Sequence, residues 1–434
     1  MIGFNKLGRT LRGRVLLVVT GVSMATMSLN ALVAPSAGAA SAAPGVTATA
    51  IKVGIPYVDI AAVDKQIGLH INQGSYPDSY NALIKSINSR GGINGRKIVP
   101  IFVPVNPTGT AAAATACTQL TEDTPVFVSI DPLSPECYLN HKTPTINSTV
   151  TQVLSSGAAE NFTLTPPAVA YDPIQIATLA KQGVFKGKRV AVFGGETTDQ
   201  DEVKVVQTAL AKNRVKVVQT AIDSAPATDQ VAGAQQEQAI SQRFKNAGIN
   251  LVVAVGTGSS AWPQYQEQNQ STYTPPWVAT NAEDLLGTMQ GKTFDTQYVS
   301  NVVSTSPTPN QAAIWLEPQI KSCVSTIKKA YPSNVINSPI GQTPGDSSTN
   351  TYVAPENACI NLGLFTAIVK AAGKSLTVKS FNQAGYGLKN VTLPGAGAPV
   401  SFGPGQAYAL GPVYMAKYDP VGKTLAIAAK PVNK

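Results

Sequence analysis

The residues best suited to chemistry in this 434-residue chain are small hydroxyls, amides and acids that follow strand-like runs. Tyr57 ends the run from Ile51, Ser129 and Asp131 end the run from Pro125, and Ser134 follows. Ser148 and Thr149 close a short run from Pro144. Later, Glu196 and Thr197 come after Arg189–Phe193, Thr257 and Ser259 after Asn250–Val255, and Asn281 and Glu283 after Pro276–Ala279. In open α/β sheets, ligands bind beyond the carboxyl ends of strands, where hydroxyls and unpaired backbone N–H groups can hold a carboxylate. Ser, Thr, Asp and Asn also cap helices, so capping is the alternative role for each of these positions. Trp262, Tyr265 and Trp277 are candidate apolar walls, or core residues.

Catalysis requires a nucleophile with a base, paired acids or a metal, and none of these has a recognisable spacing. His141 with Ser134 is the nearest pair in sequence, but no G-x-S-x-G elbow accompanies it, so no enzyme is expected. Glu196, Asp199, Asp201 and Glu202 lack the alternation and terminal glutamate of an EF-hand loop and read as solvated first-turn acids. There is no C-x-x-C, and His70 and His141 are the only histidines, so neither a metal nor any other cofactor is expected. Four cysteines in an exported chain make two disulfides, and the pairing that closes modest loops is Cys117–Cys137 with Cys323–Cys359.

The elements that position these residues start with Ile84–Ile98, IKSINSRGGINGRKI. Tyr80, Leu83, Ile84 and Ile87 form one apolar stripe on a helix that Pro77 opens, and Gly91 ends it. Asn94-Gly95 turns the chain into the strand Lys97–Val105. Phosphate loops run from strand to helix; this one runs the opposite way and presents the negative end of a helix. The opening strand, the helix, N-x-x-G-G-I-N-G-R, the second strand and the next helix resemble the branched-chain amino-acid-binding (Leu/Ile/Val-binding) type of periplasmic substrate-binding protein. The similarity in element order runs from Val46 to about Ala429.

The resemblance implies a two-lobed periplasmic-binding-protein type I fold of the α/β class. Each lobe would be a mainly parallel sheet flanked by helices, with three hinge crossings. The chain keeps the required rhythm of strands and helices, and proline-marked passages at Phe162–Pro167 and Ser304–Asn310 read as crossings. The expected organisation is a signal peptide over 1–43, lobe one over 44–164 and 306–402, lobe two over 165–305, and a C-terminal segment, 403–434, returning to lobe two. Gln311–Ala330 is expected as one long helix and Ala407–Tyr418 as one strand-like run. By the same resemblance the solute carboxylate would sit against Ser129 or Ser134 and Ser148 or Thr149. Glu283 is the acid placed to meet an ammonium group, or else a favourable first-turn charge. The aromatic that the family places after the first lobe-two strand is missing: the chain reads Gly194-Gly195-Glu196-Thr197.

Lys6, Arg9, Arg12 and Arg14 before Val15–Val22 and a small-residue tract read as a secretory signal. An uncleaved anchor is the alternative. Export to a periplasmic or extracellular space follows, and because the first cysteine is Cys117, not as a lipoprotein. Removing the four leader cations from the formal +9 leaves +5, with no basic run interleaved with aromatics, so no nucleic-acid partner is expected. The function implied is capture of a small polar solute, an amino acid among the candidates, by a monomer that delivers it to an ABC-type permease in the membrane. An extracellular ligand sensor on the same fold and an exported hydrolase are the alternatives.

Overall fold

The computed structural model describes residues 43–67, 70–106, 110–147, 157–225, 230–268, 273–291, 294–342 and 347–432. The expected leader, Ser148 and Thr149 lie outside the described residues. Fourteen strands are described: β1 (Ala50–Val58), β2 (Lys97–Val105), β3 (Val128–Ile130), β4 (Thr145–Asn147), β5 (Asn161–Thr163), β6 (Val190–Gly194) and β7 (Val217–Ile222), then β8 (Leu251–Val255), β9 (Trp277–Ala279), β10 (Val302–Ser306), β11 (Ser401–Gly403), β12 (Gln406–Leu410), β13 (Tyr414–Asp419) and β14 (Thr424–Ile427).

They form two seven-stranded sheets with matching order, β11-β12-β5-β4-β3-β1-β2 and β14-β13-β10-β9-β8-β6-β7. The five strands from β1 to β5 and those from β6 to β10 pair in parallel, with the order reversing beside β1 and beside β6. β2 is an edge strand, which is why it tolerates Pro100 and Pro104: neither has an N–H to give a further strand.

The helix Tyr76–Ser89 starts where Ser75 accepts the Asp78 N–H at 3.2 Å, with Pro77 in its first turn. Its apolar stripe buries Tyr80, Leu83 and Ile84 against the first sheet, together with Leu362, Phe365, Ile368 and Val369 of the helix Val353–Ala372. Gly92 allows the return: φ is +76°, and a Cβ there would meet the Arg96 carbonyl at 1.9 Å. The Asn88 amide then brackets Ile98, donating to its carbonyl and accepting its N–H, both at 2.8 Å. The second sheet alternates with period two. Val190, Val192, Val253 and Val255 face Ile176, Leu179, Val203 and Val206, while Ala191, Phe193, Val252 and Ala254 face Trp262, Tyr265 and Leu285.

Two expectations are corrected. Gln311–Ala330 is two helices, Gln311–Trp315 and Pro318–Ala330, because Pro318 cannot donate into a continuing ladder and instead starts a new one. Ala407–Tyr418 is not one run: β12 stays in the first sheet, β13 joins the second, and Gly411-Pro412-Val413 crosses between them, beyond the expected boundary at 402/403. Of the two roles open to Trp262, Tyr265 and Trp277, core is the one they take: each is at most 1 % exposed, and the Trp262 and Tyr265 rings pack on Phe193 with centroids 5.2 and 4.8 Å away.

Both disulfides form as expected, Cys117–Cys137 and Cys323–Cys359. Cys117, Cys137 and His141 are the one group of three metal-capable side chains close enough to share an ion among the described residues, but the two sulfurs are bonded to each other. No helix among the described residues is long and apolar enough to cross a membrane.

Candidate functional site

A cavity of about 390 Å³ opens at the carboxyl ends of β6, β8, β9 and β10, where the second sheet reverses its order and the chain crosses between sheets. Thr165 and Pro166 border it from one crossing and Ser306 and Pro307 from another. The rest of its wall comes from the helix Ala168–Lys181, the turn and helix after β6, and the residues that follow β8 and β9.

Asp199 organises the β6 end. It is buried, and its Oδ2 accepts the Gly195 N–H at 2.8 Å, the Glu196 N–H at 3.2 Å and the Thr257 hydroxyl at 2.7 Å. Glu202, one turn later, accepts from the Gly256 N–H at 3.1 Å and the Thr280 hydroxyl at 3.2 Å through Oε1. These bonds lower its carboxyl, but burial outweighs them and raises it overall. Asp172, on the helix Ala168–Lys181, is 1 % exposed. Its Oδ1 accepts the Gln175 amide at 2.7 Å, while Oδ2 meets no donor among the described residues. Burial first, and the neighbouring Glu202 charge second, push the Asp172 carboxyl well above its usual range.

Of the sequence-derived candidates, Thr257, Asn281 and Glu283 line this cavity. Asn281 is also a cap: its Oδ1 accepts the Asp284 N–H at 3.0 Å at the start of the helix Ala282–Gln290. Glu283 sits in the first turn of the same helix at the solvent-facing rim, raised by desolvation and by Asp284. Glu196 and Thr197 are exposed and do not line the cavity; Glu196 completes a capping box with Asp199. The lobe-one candidates also lie elsewhere. Tyr57 stacks with Tyr76 at 6.4 Å between ring centroids, Ser129 is fully buried beside the Tyr138 phenol, and Ser134 precedes the helix Pro135–Asn140. His141 stands 3.6 Å from Glu122 and is not part of the wall.

Asp172, Glu202, Thr280 and Thr305 line the cavity without having been singled out as binding residues. The one signal in the sequence was an acid, Asp172, set within the otherwise uncharged AVAYDPIQIATLA. Asp199 and Glu202 correct the expectation of solvated acids, whereas Asp201 meets it, exposed and paired with Lys204 at 2.9 Å.

Two matching sheets, a cavity at the strand ends and three crossings define the type I periplasmic-binding fold, and solved structures share it. A periplasmic binding protein type 1 from Bordetella pertussis is 16% identical with a TM-score of 0.56, covering 88% of this chain and 100% of its own. A branched-chain amino acid transporter substrate-binding protein from Streptococcus pneumoniae, in complex with isoleucine, is 17% identical with a TM-score of 0.53, covering 88% and 99%. A solute-binding protein of an ABC transporter from R. palustris, in complex with 4-hydroxybenzoate, is 14% identical with a TM-score of 0.55, covering 88% and 96%. No protein-family model matches the chain, and no curated protein matches it by sequence.

Proposed function

We propose that the chain is an exported solute-binding protein that captures a small polar solute between its lobes and delivers it to an ABC-type permease. The observation that carries this reading is the position of the cavity. It lies at the carboxyl ends of the lobe-two strands and is bordered by two crossings, so a solute held there touches the segments about which the lobes would close. Thr257, Asn281 and Glu283 are the proposed contacts from lobe two. Of the lobe-one alternatives, Ser129 is fully buried, so Ser134, with Ser148 or Thr149, is proposed to meet the solute from lobe one on closure. Closure is driven by contacts that exist only when both lobes engage the ligand. The proteins of similar fold described above include complexes with isoleucine and with 4-hydroxybenzoate.

The test is a thermal-shift screen of the purified chain against amino acids, small acids, amides, peptides, sugars and amines, followed by small-angle scattering with each hit. A true ligand at 100 times its Kd adds about 2.7 kcal/mol of stability. The hit should reduce the radius of gyration. A bound solute that leaves the scattering unchanged would overturn the closing mechanism.

A further inference from the structure

The cavity wall is lopsided in charge. Among the described residues it carries Asp172, Asp199, Glu202, Glu283 and Asp284 and no lysine or arginine, in a chain whose formal net charge is +9. Asp199 is accounted for by the backbone N–H groups and the hydroxyl that it accepts. Asp172 is not. Asp172 lines the cavity, and its Oδ2 is buried and meets no hydrogen-bond donor among the described residues.

The group facing Asp172 is another carboxyl, that of Glu202 on the next helix. Two carboxyls in contact satisfy each other only by sharing a proton; with both ionised, the missing partner must be a cation from outside. A metal ion fits poorly, because these acids do not bring three ligand atoms within 4.8 Å of one another. An ammonium group carries three N–H donors and can bridge two carboxylates that do not form a cage. The volume, about 390 Å³, is that of a small organic ligand site.

We infer that this cleft takes an amine cation, a small organic solute whose ammonium group is clamped between Asp172 Oδ2 and the Glu202 carboxylate, and which carries no carboxylate in need of a basic partner on this wall. The inference rests on the solute-capture reading and names its class of solute. Asp199, Glu283 and Asp284 add a field of the same sign that attracts such a ligand. The groups facing the pair are Gln175 from the Asp172 helix, Asp199 from the turn before the Glu202 helix, the Gly256 N–H after β8 and the Thr280 hydroxyl after β9. None is a cation. Burial raises both carboxyls, so the empty pair retains a proton that the incoming ammonium displaces to the buffer.

The experiment is calorimetric titration of the full chain at pH 7.5 with putrescine and agmatine as amine cations, leucine as a zwitterion and 4-hydroxybenzoate as an anion. At least one amine should bind tenfold or more tightly than leucine and 4-hydroxybenzoate. Its heat should differ between phosphate and Tris by the ionisation of the released proton. Asp172→Asn and Glu202→Gln should each weaken the amine at least tenfold and remove the buffer dependence. Should Asp172→Asn fail to fold, the half-buried Glu202→Gln carries the same readouts. Leucine or 4-hydroxybenzoate binding as tightly as the amines overturns the cation class and leaves solute capture standing. Silence of both amines also overturns it, and capture is then judged by the closure seen with other solutes. An amine that binds both variants unchanged overturns the assignment to this pair.

Discussion

The side-chain amide of Gln311 donates to both carboxylate oxygens of Glu356, each at 2.6 Å, where the first residue of one lobe-one helix meets the first turn of another. Glu356 is 7 % exposed. Burial raises its carboxyl from 4.5 to about 7; the Gln311 bond opposes the rise, and the neighbouring Glu317 adds to it. The native state therefore keeps a proton that the unfolded chain loses near pH 4.5. Stability falls as pH rises through that window, and above about pH 7 the full cost, about 3 kcal/mol, is present. Glu356→Gln should thus be more stable than the parent at pH 8 by about 1–3 kcal/mol and close to it at pH 5. Urea unfolding at the two pH values checks this, and an equal gap at both would sink it.

The two disulfides are both in lobe one. Cys117–Cys137 joins the helix Thr110–Thr118 to the helix Pro135–Asn140, and Cys323–Cys359 joins the helix Pro318–Ala330 to the helix Val353–Ala372. With sequence separations of 20 and 36, the chain-entropy relation assigns about 3 and about 4 kcal/mol. Lobe two has no cysteine. Reductant should therefore lower the melting of lobe one alone and split the transition, with proteolysis near the midpoint cutting lobe-one segments first. A single unshifted transition in reductant would show that the bridges contribute little.

Local signals carried most of the fold. The stripe Tyr80, Leu83, Ile84 and the Asn94-Gly95 turn behave as their spacing dictates because each depends on neighbours within a few residues. The third crossing was harder to read, since Ala407–Tyr418 has strand character on both sides of Gly411-Pro412, and only the partners β5 and β10 decide which sheet each half joins. The site was legible in part for the same reason. Thr257, Asn281 and Glu283 follow strands and could be found by that rule. Asp172 and Glu202 lie on helices, and what distinguishes them is mutual proximity and burial, which no spacing in the sequence encodes.

Gly256 holds the cavity's shape through its backbone. Its φ is +55°, and a Cβ there would lie 2.3 Å from Asp199 Oδ1 and 3.3 Å from Glu202 Oε2. Gly256→Ala should displace the carboxylate that fixes the β6 and β8 loops together, costing about 1–3 kcal/mol in stability and weakening any cavity ligand at least tenfold. Gly233, on the helix Gln230–Asn246 with nothing near its Cβ, is the control: Gly233→Ala should stabilise by up to about 1 kcal/mol and leave binding unchanged. Equal effects of the two substitutions on ligand affinity would contradict the role given to Gly256.

Thr305 connects the crossing to Asp172. The Tyr171 hydroxyl donates to Thr305 Oγ1 at 3.0 Å, Thr305 donates to Gln175 Oε1 at 3.1 Å, and the Gln175 amide donates to Asp172 Oδ1 at 2.7 Å and the Thr280 carbonyl at 3.0 Å. All these side chains are buried, so Thr305→Val, which keeps the shape but removes the hydroxyl, strands one donor and one acceptor. The expected cost is about 1–3 kcal/mol, with Thr305→Ser recovering most of it. Gln175 loses its orienting bond in the same variant, so Asp172 loosens and ligand affinity should fall in Thr305→Val and return in Thr305→Ser. Tyr171→Phe removes only the donor at the far end and should cost about 1 kcal/mol. A double-mutant cycle of Tyr171→Phe with Thr305→Val should show the two effects to be coupled, and strict additivity in the unfolding free energies would mean the chain does not act as a unit.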